Sequence, residues 1–267
     1  MKACLDKLTV RRSFSKAAKT YDQNSDFQND VRSMLLAYLP EKGVSTALDV
    51  GCGTGGLAFK MTRLYPNAKV LAIDSAKDML ALSRENLHRE IRLFAADLES
   101  LPFKSESLCL VASNLAYQWS ASLEKAFTEC LRTLRKDGRF VFSTLGPGTF
   151  IELRESVTKA ALLAGRNGLP PFMKFKGSEE LVGLLNKAGF VDIKIERKSV
   201  PLYYKDAAEL LRTLKRIGAK NPNTEGEKSL GRGALLKTVF KEYEKAHKGP
   251  NGVRATYEVL FVSCKKP

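Results

Sequence analysis

The chain has 267 residues, of which 44% are hydrophobic and 27% are charged, so it has the composition of a folded domain with a core of its own. No apolar run approaches the roughly 20 residues that a membrane-spanning helix needs, and the first residues lack the apolar core of a signal peptide. The 5 cysteines form no C-x-x-C pair and there are only 2 histidines. We therefore expect reduced thiols in a cytoplasm, and neither a zinc site nor a histidine-based catalytic triad.

Basic residues outnumber acidic ones, and the formal net charge is +15. About two-thirds of this excess lies after residue 150. Such a surplus indicates an acidic partner, which could be nucleic acid, a membrane surface or an acidic protein. A solvated basic surface without any partner is the alternative interpretation.

Apolar periodicity predicts two helices, at 11–18 and 27–39, before the first strand, with Pro40 ending the second. They could form a flap over a bound ligand or a packed extension of the core. Beyond them, short apolar strands alternate with helices, which predicts a doubly wound α/β sheet. The predicted strands are 47–50, 69–74, 91–96, 107–112, 139–145, 190–200 and 254–264. The predicted helices are 55–64, 76–87, 123–135, 149–164, 178–188, 206–217 and 230–246.

A glycine-rich turn follows the first strand and opens the next helix. Gly51, Gly53 and Gly55 allow the backbone to turn sharply and a ligand to approach it closely. Such a turn holds a nucleotide-like ligand at the mouth of an open α/β sheet. The spacing formally satisfies the dinucleotide fingerprint, but it also suits S-adenosylmethionine (AdoMet), whose sulfonium Asp49 could attract. Asp49 could otherwise be a satisfied turn residue.

Acidic residues end the next two predicted strands. Asp74 lies at the spacing where a carboxylate accepts hydrogen bonds from ribose hydroxyls, or it could cap the following helix. Asp97 could accept a hydrogen bond from the amino group of adenine. The segment 113–119 follows strand four at the same edge and includes Trp119, which could contact the ligand or simply pack.

The stretch from Asp49 to Gly55 reads Asp-x-Gly-x-Gly-x-Gly and resembles the first motif of class I AdoMet methyltransferases. Other segments resemble the malonyl-acyl-carrier-protein O-methyltransferase family of biotin synthesis. They are spread over nearly the whole chain and comprise 14–22 with Gln28, 114–119, 142–154 and 255–260. The loops at 166–176 and 219–231 depart from the family pattern, which bears on substrate details more than on the reaction class.

The resemblance implies one Rossmann-like methyltransferase domain with a mostly parallel, seven-stranded sheet and an antiparallel last strand. Residues 1–40 would be a helical flap, 41–150 the AdoMet-binding core, and 151–267 a substrate-facing part with a helical insert at 201–252. We expect AdoMet to be held by the glycine turn, the strand-end acids and their neighbours. This set is Asp49, Gly51, Cys52, Gly53, Gly55, Asp74, Ser75, Met79, Asp97, Leu98, Asn114, Leu115 and Trp119.

The implied reaction methylates the free carboxylate of a malonyl group carried on an acidic acyl-carrier protein. A carboxylate is already ionised at neutral pH, so no general base is needed. Arg154 is the first candidate for holding that carboxylate, ahead of Tyr21 and Gln118. We expect a monomer whose basic insert docks the carrier protein. The insert residues named for docking are Lys205, Arg212, Lys215, Arg216, Lys220, Arg232 and Lys237.

Three other functions stay open at this point. A nucleic-acid methyltransferase would use the positive charge, but amino-methylating enzymes of that kind carry [DNS]-P-P-[YFW] where this chain has 113–116, and no Pro-Cys nucleophile occurs. A methyltransferase acting on a small molecule is a second alternative. A non-catalytic AdoMet- or nucleic-acid-binding module is a third. It is disfavoured because every predicted ligand-binding position at the edge of the sheet is filled.

Overall fold

A mixed β-sheet runs through the middle of the molecule. The computed structural model describes residues 6–86, 91–165, 173–216 and 232–267, and within those ranges the sheet has eight strands. They are β1 (Thr46–Val50), β2 (Lys69–Asp74), β3 (Arg92–Ala95), β4 (Leu108–Asn114), β5 (Leu134–Leu145), β6 (Val191–Tyr204), β7 (Lys248–Gly249) and β8 (Gly252–Lys265).

The strand order is β3-β2-β1-β4-β5-β8-β6, with the two-residue β7 paired to β8 beside this path. Strands β1 to β5 pair in parallel, whereas β8 runs antiparallel to both β5 and β6. The predicted mostly parallel sheet with an antiparallel last strand is therefore confirmed. The inner strands β1 and β4 are buried along almost their whole length, because helices cover both faces of the sheet.

Nine α-helices occur within the described ranges. They are α1 (Lys7–Tyr21), α2 (Asp26–Leu35), α3 (Gly56–Leu64), α4 (Lys77–Asn86), α5 (Leu123–Thr133), α6 (Ile151–Leu163), α7 (Ser178–Ala188), α8 (Ala207–Arg216) and α9 (Arg232–His247). Helices α2, α3, α8 and α9 contribute to the core on one face of the sheet, and α5 and α7 to the core on the other. The result is a three-layer α/β/α arrangement.

Several element boundaries differ from the sequence-based expectation: the helix expected at 11–18 spans Lys7–Tyr21, and the strand expected from 139 begins at Leu134. The helix expected at 27–39 ends at Leu35 and continues as a short 3-10 turn, because Pro40 biases Leu39 to an extended conformation (φ −72°, ψ 147°). Strand six continues beyond 200 to Tyr204, through Pro201. Since β6 is an edge strand of the described sheet, the missing N–H of Pro201 is tolerated there.

The two N-terminal helices play different parts. Phe27, Val31 and Leu35 of α2 belong to the main core, so α2 is a packed extension of the domain. Only Ala17 and Ala18 are buried in α1. That helix instead lies against α4 and α8 and covers the carboxyl edge of the parallel strands.

Candidate active site

A cavity of about 610 Å³ opens at the carboxyl edge of β1, β2, β3 and β4. One wall is the glycine turn and the strand ends beside it, and the opposite wall is the inner face of α1. The predicted cofactor residues that line it are Gly51, Gly53, Asp74, Ser75, Met79, Asp97, Leu98, Asn114, Leu115 and Trp119. Distant parts of the chain therefore meet at the edge where ligands bind in open α/β sheets.

The glycine turn adopts the conformation that its sequence predicts. Gly51, Gly53 and Gly55 have φ values of 69°, 55° and 91°, in the left-handed region that favours glycine. A Cβ atom at Gly51 would overlap the Cβ of Ala116, so the turns after β1 and β4 approach too closely for any side chain there. The N–H groups of Gly51 and Cys52 both donate to the carbonyl oxygen of Ile73 at 2.9 Å, which fixes the turn against β2.

Asp74 caps the following helix, which is one of the two roles considered for it. Its Oδ2 accepts from the Gly53 N–H at 2.9 Å, and its Oδ1 accepts from the Ala76 N–H at 2.8 Å at the start of α4. Burial raises the pKa of this carboxyl, although the backbone donors oppose that effect. Asp74 thus ties the turn to the next helix and still borders the cavity.

Asp49 lies beneath the turn instead of lining the cavity. Its Oδ2 accepts from the Ala58 N–H at 2.9 Å in α3, whereas its Oδ1 is buried without a hydrogen-bond partner among the described residues. Burial raises the pKa of this carboxyl to about 7. Cys52 and Gly55 likewise belong to the body of the turn, and the Cys52 side chain is buried.

Two polar residues of α2 reach the same region, and neither was predicted as a site residue, although Gln28 belongs to a family-like segment. The guanidinium of Arg32 lies against Gly56, where an added Cβ would overlap it. Within the described part of the chain, Arg32 Nε and Gln28 Oε1 are buried and lack hydrogen-bond partners. Their spacing of four residues puts both on one side of α2. The available signal was a pair of polar residues four apart beside the apolar stripe of that helix.

Asp97 borders the cavity, but both of its carboxylate oxygens already accept hydrogen bonds. Oδ2 accepts from Lys7 Nζ at 2.7 Å, and Oδ1 accepts from the Glu99 N–H at 2.9 Å. Lys7 also pairs with Glu99 Oε2 at 2.6 Å. These ion pairs join α1 to the segment after β3 across the cavity mouth. They could not be predicted from the sequence, because their partners lie far apart along the chain.

The segment after β4 closes another side of the cavity. Asn114 donates through Nδ2 to the Gln28 carbonyl oxygen at 2.9 Å and accepts from Ser143 Oγ at 2.8 Å. Leu115 has a φ of 53°, unusual for a residue with a side chain. Trp119 meets the Phe14 ring of α1 edge-on, with 5.3 Å between ring centroids. Trp119 therefore both packs and lines the cavity.

Of the three residues predicted to hold the substrate carboxylate, only Tyr21 lines the cavity. Arg154 stands in the first turn of α6, so its side chain points back towards the preceding loop. There its Nη2 donates to the carbonyl oxygens of Pro147 and Thr149, beside a separate surface hollow. Gln118 is half-buried and its Oε1 accepts from Thr144 Oγ1 at 3.3 Å.

Cations that do line the cavity were not identified from the sequence. They are Lys7, Arg11 and Lys77. Lys7 is engaged with Asp97 and Glu99, whereas Arg11 and Lys77 are exposed at the mouth and form no ion pair with the described residues. Arg11 belongs to a helix that looked merely basic in the sequence, and only the packing of α1 brings it to the opening.

Known proteins share both this fold and this sequence pattern. A methyltransferase-domain family matches residues 48–142. Phosphoethanolamine N-methyltransferase 2 of Haemonchus contortus, solved in complex with S-adenosyl-L-methionine, superposes with a TM-score of 0.60 at 20% identity, covering 95% of this chain and 57% of that one. The fold and the glycine-turn site together define a class I methyltransferase.

Closer relatives identify the family within that class. The malonyl-[acyl-carrier protein] O-methyltransferase of Geobacter sulfurreducens is 35% identical over 96% of this chain and 98% of its own length. The enzyme of the same name from Xylella fastidiosa is 32% identical over 100% of this chain and 90% of its own. The chain belongs to the malonyl-[acyl-carrier protein] O-methyltransferase family. No helix in the part of the chain that the structure describes has the length and apolarity to cross a membrane.

Proposed function

We propose that this chain transfers a methyl group from AdoMet to the free carboxylate of a malonyl group carried on acyl-carrier protein. The observation that carries this proposal is the 610 Å³ cavity between the glycine turn and α1, in a chain that matches malonyl-[acyl-carrier protein] O-methyltransferases over nearly its full length. Methylation converts a charged acyl end into a neutral ester, so the product resembles an ordinary acyl chain.

The residues around the turn fit the parts of AdoMet. Asp74 would accept the ribose hydroxyls, and Met79 and Leu98 offer apolar contact for adenine. The methionine end of AdoMet carries one ammonium and one carboxylate. Asp49 Oδ1 and Arg32 Nε are the unpartnered groups of matching charge behind the glycine turn, although neither residue lines the cavity. When bound, AdoMet supplies a methyl group on a positively charged sulfur, ready for displacement by an oxygen nucleophile.

The chain's own groups must orient the malonyl carboxylate and exclude water. Tyr21 borders the cavity beside Gly53, and burial raises the pKa of its phenol, so the hydroxyl stays protonated and can donate a hydrogen bond. The exposed Arg11 guanidinium offers a planar pair of donors at the mouth. Because the nucleophile is ionised already, alignment accounts for most of the catalysis, and well-oriented pairs gain roughly 7–11 kcal/mol.

Steady-state kinetics of three variants test these roles. Removing the Tyr21 hydroxyl (Tyr21→Phe) or the Arg11 charge (Arg11→Gln) should lower kcat/KM for malonyl carrier protein about 10- to 100-fold, with AdoMet affinity nearly unchanged. Arg154→Gln is the matched control, since its guanidinium binds loop carbonyls outside the cavity. A large kinetic loss in Arg154→Gln alone would return the carboxylate-binding role to that residue.

Mass spectrometry of the reaction products tests the function itself. Purified protein, AdoMet and malonyl carrier protein should yield a carrier species heavier by one methylene unit, while unfractionated tRNA in a parallel reaction should stay unmodified. Methyl transfer to tRNA alone would contradict the proposal and assign the basic surface to nucleic acid. An acidic carrier, a monomeric enzyme and a cytoplasmic setting belong to the same proposal. The free thiols of Cys52, Cys109, Cys130 and Cys264 support a reducing compartment.

A further inference from the structure

Helix α1 is basic along its whole length. Lys7–Tyr21 contains Lys7, Arg11, Arg12, Lys16 and Lys19, and no aspartate or glutamate. Arg12, Lys16 and Lys19 follow the spacing i, i+4, i+7 and therefore form one stripe. All three are exposed, and none forms an ion pair with the described residues. Like charges at these spacings destabilise a helix slightly, so the stripe does not serve the stability of α1.

The basic stripe lies on the side of α1 that faces away from the cavity. On the opposite side of the helix, Val10, Phe14 and Tyr21 line the cavity, and Ala17 and Ala18 are buried. Lys7 and Arg11 line the cavity as well. A partner seated on the stripe would therefore lie directly beside the entrance through which a substrate must reach the glycine turn.

The basic surface continues from α1 onto α8. Thr20 Oγ1 donates to the Arg216 carbonyl oxygen at 3.3 Å, so the end of α8 abuts the end of α1. Arg212 and Arg216 are exposed on α8. Acidic groups nearby already have partners, and that of Asp206 is Arg212 of this same surface. Asp22 accepts from Thr54 Oγ1 and Asn86 Nδ2, Asp6 caps α1, and Asp206 lies 3.5 Å from Arg212.

We propose that the surface formed by Arg12, Lys16 and Lys19 of α1 with Arg212 and Arg216 of α8 is the docking site for an acidic carrier protein that delivers its malonyl arm over α1 into the cavity. This inference rests on the proposed function and refines it. The insert between β6 and β8 was expected to dock the carrier protein, whereas the packing of α8 on α1 places the N-terminal helix beside the entrance. Lys220 of that expectation lies outside the described residues.

Charge reversal of the α1 stripe tests the proposal. The variant R12E/K16E/K19E should raise the KM for malonyl carrier protein about tenfold or more, because steering and rim contacts act through the summed charge. Its kcat with a small malonyl thioester, such as the N-acetylcysteamine derivative, whose only charge is the carboxylate to be methylated, should stay unchanged, since none of the three residues lines the cavity. The neutral variant R12Q/K16Q/K19Q should show a smaller shift in the same direction, and it serves if the reversed variant does not fold.

A matched control makes the same change in charge at the other end of the sheet. Lys104, Lys136 and Lys194 are exposed near the amino ends of β4, β5 and β6. K104E/K136E/K194E should leave the KM for malonyl carrier protein within about twofold of the parent value.

The two proposals fail separately. Equal KM values in the stripe and control variants, with an active parent enzyme, would overturn the docking site and leave the reaction intact. A parent enzyme that never methylates malonyl carrier protein would refute the reaction. Methylation of tRNA that is lost in R12E/K16E/K19E would assign this surface to nucleic acid and overturn the inference.

Discussion

At the scale of single residues, we expect three buried polar atoms near the glycine turn to take part in ligand binding. Asp49 Oδ1, Arg32 Nε and Gln28 Oε1 are buried without hydrogen-bond partners among the described residues. Leaving such a group unsatisfied costs roughly 1–3 kcal/mol. We expect a zwitterionic ligand end to satisfy the carboxylate and the guanidinium together, which would favour binding of that ligand.

The ionisation of Asp49 should couple AdoMet binding to pH. Burial raises the pKa of Asp49 to about 7, above its ordinary value of 3.8, and also raises the pKa of Asp74. The folded protein therefore holds more protons than the unfolded chain between these values, and the stability from protonated Asp49 is lost as pH rises through about 7. A cationic ligand binds the ionised form, so AdoMet affinity should rise as pH approaches 7.

Isothermal calorimetry can detect the accompanying proton release. Heats of AdoMet binding measured near pH 6.5 in two buffers of different ionisation enthalpy should differ for the parent protein. The difference should shrink in Asp49→Asn, which keeps the shape of the side chain and cannot ionise. Identical heats in both buffers for the parent protein would contradict a coupled Asp49.

Arg32 should act on the carboxylate of AdoMet alone. Arg32→Met removes the charge and keeps a long side chain, and it should weaken AdoMet binding by about 1.5–3 kcal/mol, the range for hydrogen bonds to charged groups. Arg32→Lys should weaken AdoMet binding by a smaller amount. The control ligand is 5′-methylthioadenosine, which lacks the amino-acid end, and its affinity should be the same in all three proteins. A parallel loss for that ligand would mean that Arg32 merely supports the fold.

Residue roles were the least predictable part of the site. The glycines and Asp74 follow from a local pattern, because a sharp turn and a strand-end acid are encoded within a few residues. Asp97 and Lys7 are 90 residues apart, and no local pattern connects them. Arg154 looked suitable because it follows strand five closely, yet its place in the first turn of α6 directs it to the loop carbonyls.

At the scale of secondary-structure elements, α1 contributes more to the cavity than to the core. It buries only two alanines, but it lines one wall of the opening and is held there by Lys7. The partly exposed Lys7–Asp97 pair is worth roughly 0–1 kcal/mol, so this contact holds α1 only weakly against the strand ends. We interpret α1 as a lid over the cofactor and α2 as a fixed part of the core.

Removing the lid should separate folding from function. A protein that starts at residue 25 should remain folded by circular dichroism and melt only a few degrees lower, while AdoMet binding weakens and turnover nearly disappears. The single substitution Lys7→Met removes only the ion pairs of α1, and it should speed cofactor dissociation. Full activity after the deletion would mean that α1 has only a packing role.

The sheet itself was predictable for a physical reason. Strands that are buried on both faces have short, continuous apolar sequences. The strands β1, β2, β4 and β5 can therefore be recognised between the helices. Packing between helices leaves no such local signature. The contact of α8 with α1 joins residues 196 positions apart, and only the folded chain reveals it.

At the scale of the whole molecule, the net charge of +15 should control how fast the carrier arrives and leave cofactor binding unaffected. Exposed charges are screened beyond about 8–10 Å at physiological salt, whereas buried contacts such as those of Asp49 and Asp74 are screened much less. Raising NaCl from about 50 to about 300 mM should therefore lower kcat/KM for malonyl carrier protein steeply and leave the AdoMet dissociation constant nearly constant. The small malonyl thioester is the internal control, because it carries only the one carboxylate charge and has no charged protein surface to be steered. If its kcat/KM fell as steeply as that of the carrier-bound substrate, salt would be acting on the enzyme itself, and the basic surface would have no part in recruitment.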